Sequence, residues 1–222
     1  MRPRRVQGKA APRSLGRVVI VSRANDIMAE HDKPPEYTEV PPEVQQKFDQ
    51  LEDLLLNHRE SIGIHNGVPF IMLIYDPVTE IDCRKKIKNL QEKLESKNLS
   101  VLNIPINLAI FDYLKKEGIL DQIIEFDKES PKEVRDDLFK RSKQFLKDHI
   151  LKDIKKNSPE IVFLTNVSGL YPYYRVSNLL NSLEKDVKNP FIIFYPGEIK
   201  EDGKLYFMGE LESNEYYRAQ RI

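Results

Sequence analysis

Tryptophan is absent from this chain, and cysteine occurs once, at Cys83. A lone cysteine cannot close an internal disulfide, so a reducing compartment is the default and a cytoplasmic location is expected. Long apolar runs are missing too: no stretch approaches the roughly 18–20 residues that span a bilayer. The four histidines, His31, His58, His65 and His149, show no metal-ligand spacing, so no metal site is expected. No glycine-rich loop follows an apolar run, which argues against phosphate binding through a P-loop.

What is present suits a folded protein. Hydrophobic residues make up 40% of the 222, enough to build a core in one domain. A net charge of zero hides an asymmetry. Residues 1–25 hold seven bases and no acid, so residues 26–222 carry 28 bases against 35 acids, a net of −7. That balance makes the main body a poor candidate for non-specific DNA binding, because such binding depends on neutralising phosphates. The basic segment lacks apolar periodicity and reads as an unstructured tail, or as sequence upstream of a true start at Met28. A nucleic-acid arm or targeting segment is the alternative. The run to residue 42 is rich in proline and acid, so residues 1–42 are expected to be a disordered tail and linker. Residues 43–222 form the expected single domain.

Within that domain, Val44, Phe48, Leu51 and Leu55 mark one face of a helix over residues 43–58. Continuous apolar runs predict parallel strands at 70–75, 100–105, 161–165 and 191–195, with a fifth strand at 205–208. Helical patterns fall between them at 78–96, 108–116, 130–156 and 175–187, with a short amphipathic turn at 119–126. Cys83 lies on an apolar stripe with Ile87, Leu90 and Leu94 and reads as a core residue. The alternation predicts a three-layer α/β fold: a mostly parallel five-stranded sheet with helices on both faces, P-loop-NTPase-like but without the nucleotide-binding motifs.

Ligands of open parallel sheets collect beyond the carboxyl ends of the strands. After the first strand come Asp76, Pro77 and Glu80. Proline offers no N–H, and the carboxylates would repel a phosphate. After the third strand come Thr165 and Asn166, which do not replace the acidic residue of a metal-dependent ATPase. Asp76, Glu80, Thr165 and Asn166 are therefore taken as a polar strand-end cluster. Glu198 follows the fourth strand and would pair with Asp76 as an acid/base or cation site only if the two strands are neighbours. Capping a helix or pairing with arginine is the commoner role of such carboxylates. No catalytic residue is assigned.

Tyrosine and arginine gather in the same loops. Tyr171, Tyr173, Arg175 and Tyr195 precede or end buried segments, and Tyr216, Tyr217 and Arg218 close the chain. These residue types dominate the centres of protein interfaces and also stack on single-stranded bases. With Glu198 they form the candidate partner-binding set. Arg175 opens a helix, where the dipole disfavours a cation unless an anion is near.

The motifs Val68-Pro69-Phe70 to Tyr75-Asp76-Pro77, Thr165-Asn166-Val167-Ser168-Gly169-Leu170-Tyr171-Pro172, Tyr195-Pro196-Gly197-Glu198 and Tyr216-Tyr217-Arg218-Ala219 resemble the BrxB family. BrxB proteins are components of bacterial BREX bacteriophage-exclusion systems. The chain departs from the family pattern where Asn166-Val167-Ser168 replaces Gly-Val-Gly and where Phe207-Met208-Gly209 replaces Leu-Phe-Gly. The resemblance implies a cytoplasmic protein encoded beside a large ATPase, a DNA methyltransferase and the alkaline-phosphatase-like PglZ. It implies no catalytic activity and no cofactor. The leading expectation is a non-catalytic adaptor that binds PglZ or the ATPase, with DNA reached only indirectly or through the basic tail. Two alternatives stand beside it: a nucleic-acid-contacting module, and a hydrolase or metal-dependent enzyme centred on Asp76 and Glu198.

Overall fold

The computed structural model describes residues 41–213 and 218–222. The basic tail and nearly all of the proline-rich linker lie outside the described residues. Helix α1 runs Pro42–Asn57, with proline in its first turn, where a missing N–H is harmless. Pro42 thus belongs to the helix and not to the linker. Val44, Phe48, Leu51 and Leu55 are buried, as their spacing predicts.

Strand β1, Phe70–Tyr75, is buried at all six positions, which explains its unbroken apolar run. A short 3-10 turn, Pro77–Thr79, replaces the start of the predicted second helix, and α2 follows at Glu80–Ser96. The rest of the parallel core is β2 (Val101–Pro105), β3 (Ile161–Thr165) and β4 (Phe191–Ile199). Between β2 and β3 lie α3 (Ala109–Lys116), α4 (Leu120–Glu129) and α5 (Pro131–Asn157). Helix α6, Val176–Leu183, connects β3 to β4 and is shorter than its apolar pattern suggests.

The main sheet has the order β2-β3-β4-β1-β7, where β7 is Gln220–Arg221. All four of these pairings are parallel. The fifth parallel strand is therefore β7, not the segment predicted at 205–208. That segment forms β5, Leu205–Phe207, and runs antiparallel to the overhanging end of β4, pairing Gly197 with Phe207. A two-residue strand β6, Leu211–Glu212, completes a hairpin with β5. Two left-handed residues, Met208 and Gly209, turn that hairpin.

Side chains alternate across the sheet. On one face Ile71, Leu73, Tyr75, Phe163 and Phe194 pack under α1 and α2. On the other, Phe70, Met72, Val162, Leu164 and Ile193 pack under α3, α5 and α6. The three layers match the sequence expectation. The similar entries Pro69-Phe70 and Pro190-Phe191 turn out to be neighbours: β1 and β4 lie side by side with Phe70 opposite Phe191 and Tyr75 opposite Pro196. Their rings touch, with centroids 5.6 Å apart.

Candidate functional site

The loop after β3 is set by two tight contacts. Asn166 takes the left-handed conformation at φ 57°, which asparagine and glycine tolerate best. Gly169 lies so close to the β2–α3 turn that a Cβ there would come within 2.5 Å of the Asn107 Cα. The side chains of Thr165 and Asn166 turn toward the same seam. Thr165 donates to Asn103 at 2.8 Å, and the Asn166 amide donates to Asn107 at 3.3 Å.

This anchored loop carries Tyr171, Tyr174 and Arg175 to one wall of a cleft. The opposite wall is the hairpin β5–β6, with Phe207 and Leu211. Gly197 makes the hairpin possible: a Cβ there would meet the Tyr206 carbonyl oxygen at 2.6 Å and the Tyr195 ring at 2.8 Å. The cleft encloses about 190 Å³. Phe207 bridges its floor and rim, with centroids 5.4 Å from Tyr195 and 6.2 Å from Tyr171. Tyr171 is 54% exposed and Leu211 is exposed beside it. Arg175 occupies the N-cap position of α6 without capping it.

The sequence-derived set is thus only partly assembled. Tyr171 and Arg175 share the cleft. Tyr195 contributes to its floor but is 1% exposed, so it supports the site from within the core. Tyr173 faces a separate groove, edge-on to Phe111 at 6.3 Å. Arg218 lies at the opposite, amino end of the strands, donating to Glu184 at 3.0 Å and to the Asn66 carbonyl at 3.3 Å. Tyr216 and Tyr217 lie outside the described residues. Phe207, Leu211 and Ser177 belong to the cleft and were not singled out from sequence. The Gly209 that turns the hairpin was the available signal.

A second cleft, about 540 Å³, opens at the carboxyl ends of β1 and β4. Asp76 and Glu198 both line it, with Glu43, Lys47 and Arg221. The Asp76 carboxylate already accepts the Val78 N–H at 3.0 Å, as a helix cap. Glu80 accepts from the Tyr75 hydroxyl and from Arg84 at 2.7 Å. Burial, then the bond to Glu80, pushes the Tyr75 phenol far above the usual tyrosine range. The four-residue polar cluster therefore divides, with Asp76 and Glu80 after β1 and Thr165 and Asn166 at the β2–β3 seam. Among the described residues no group of three or more His, Cys, Asp or Glu could hold a metal ion. No described helix is long and apolar enough to cross a membrane.

Comparison with known proteins agrees with the motifs. The family described as "BREX protein BrxB" matches residues 102–222. A protein of that name from Bacillus cereus (strain H3081.97) is 30% identical over 176 residues, spanning 74% of this chain and 88% of its own. No solved structure matches, and the P-loop-like part of the fold expectation gains no support.

Proposed function

The chain belongs to the BrxB family of BREX proteins, and from that premise we propose that it is a non-catalytic adaptor of a phage-defence complex. It docks another BREX protein, PglZ or the large ATPase, through the cleft between the Tyr171–Arg175 loop and the β5–β6 hairpin. The observation that carries this reading is the composition of the cleft: exposed Tyr171 and Leu211 beside an arginine, on a wall braced by buried strands. Aromatic and arginine anchors in a partly desolvated pocket are what energetic centres of interfaces are made of. The prior engagement of Asp76 and Glu80 in capping and pairing supports a role without catalysis.

The test is recovery of BREX components with tagged protein from cells expressing the whole system. Replacing Tyr171 and Arg175 together by Ala is expected to cut recovery at least tenfold, since loss of two such anchors costs about 2 kcal/mol or more. Wild-type recovery of no BREX component, or full recovery by the double variant, would reject the adaptor reading.

One observation favours a second reading. Asp76 and Glu198 line a single cleft with Lys47 and Arg221, so the hydrolase alternative keeps a site with two carboxylates on neighbouring strands. Glu198→Gln, which leaves the Asp76 cap intact, is expected to leave phage protection unchanged. Loss of protection with normal complex recovery would favour the enzyme.

A further inference from the structure

Helix α4 has an apolar face that no described residue covers fully. Leu120, Ile123, Ile124 and Asp127 recur at i, i+3, i+4 and i+7, the spacing of a core-facing stripe, yet no residue of the helix is buried. Ile124 is 47% exposed, and Phe111 of α3, in the same groove, is 39% exposed. With Leu114 and Tyr173 these side chains line a space of about 90 Å³ between α3, α4 and the start of α5. Tyr173 thus belongs to this groove, apart from the cleft that Tyr171 lines.

Asp127 supplies an independent observation. It holds a position at the centre of that stripe, where an apolar residue belongs, and is itself half-buried in the groove. Among the described residues its carboxylate has no hydrogen bond and no ion pair. It also lies in the last turn of α4, where the helix dipole disfavours an anion. Burial, an apolar setting and the dipole all act against this charge, and no described cation offsets them. The surroundings add to the negative field. Residues 109–138, which form α3, α4 and the start of α5, hold nine acids and five bases, a net of −4. The one base of α4, Lys128, is paired with Glu125 at 2.8 Å.

We infer that this groove receives a basic amphipathic helix of a second protein, with its apolar side chains against Phe111, Ile123, Ile124 and Tyr173 and a lysine or arginine on the Asp127 carboxylate. Helical walls suit a helix: no free strand edge lines the groove, so an extended segment would find no backbone partners. A cation at Asp127 removes the mismatch that the free chain carries. The acidic field disfavours a nucleic-acid or anionic lipid surface, and it disfavours a second copy of this acidic face. This surface is separate from the cleft lined by Tyr171 and Arg175 and stands whether or not that cleft docks a partner.

The experiment is an amide NMR titration of the full chain with a Leu/Lys helical peptide, its Leu residues at i, i+3, i+4 and i+7, and with its Leu/Gln and Leu/Glu counterparts. The Leu/Lys peptide is expected to shift the Phe111, Ile124 and Tyr173 amides saturably, with the Leu/Gln peptide about tenfold weaker and the Leu/Glu peptide without effect. Ile124→Ser should weaken binding about tenfold, with a dispersed spectrum showing that the variant folds. Asp127→Asn should weaken it several-fold while leaving the Tm unchanged or raised, a split that a structural role for Asp127 would not give. Shifts spread over the whole surface, equal binding of the three peptides, or native binding by Asp127→Asn would overturn the assignment. So would sedimentation showing a dimer that Ile124→Ser dissolves, which would make the groove a self-contact.

Discussion

Gly197 shows how much one residue decides here. A methyl group at that position would run into the Tyr206 carbonyl and the Tyr195 ring, so the close pairing of β4 with the hairpin requires glycine there. Asn166 solves a neighbouring problem differently, holding a left-handed backbone that branched residues avoid. Cys83 offers a measurable consequence of burial. It lies fully inside the core against Thr79, and burial pushes its thiol from an ordinary 9.0 up to about 11. Below pH 9 the thiol is protonated in folded and unfolded chains alike. As pH rises from 9 to about 11, the unfolded chain releases the proton while the native state keeps it, so stability falls. The expected loss is roughly 2–3 kcal/mol at about 1.4 kcal/mol per unit. Urea denaturation of Cys83→Ala across that window should show a flatter decline than the native sequence. Parallel declines would mean that the thiol does not titrate as burial dictates.

At the scale of elements, the closing segment has two jobs that its sequence presents as one. Arg218 ties the chain to Glu184 and to the turn before β1, and β7 then adds a strand to the edge of the sheet. The Ile222 N–H donates to Met72 and its carbonyl accepts from Ile74, each at 2.9 Å. Arg218 is therefore an anchor for β7, remote from Arg175. Arg218→Ala is expected to weaken the edge by about 0.2–1 kcal/mol, the range for an exposed ion pair. Hydrogen exchange should detect this as faster exchange at the Ile74 and Ile222 amides, with co-purification of BREX components unchanged. Unaltered exchange together with lost co-purification would return Arg218 to the docking surface. The hairpin is the other element whose role was hidden. As a strand pattern, residues 205–208 look like one more parallel member, and only antiparallel pairing with the overhanging end of β4 reveals them as the wall of a site.

For the whole molecule, charge separates two modes of partnership. The acidic balance of residues 26–222 leaves the basic segment as the most concentrated run of positive charge in the sequence. A chain lacking residues 1–27 is expected to show no salt-dependent retention on single-stranded DNA while keeping its stability and its co-purification. Retention that survives the deletion, falling steeply with salt, would revive the nucleic-acid reading. The sequence by itself determined the layers, because runs of buried apolar residues and helical stripes are local patterns that burial enforces residue by residue. It also determined family membership and the places along the chain where ligand chemistry would have to appear. Only the tertiary structure decided the strand order, the antiparallel turn of β5 and the company each side chain keeps. Those depend on pairings between segments far apart in sequence, which carry no periodicity of their own. Tyr171 and Arg175 therefore share a cleft with Phe207 and Ser177, while Tyr173, Glu198 and Arg218, alike in sequence, face elsewhere.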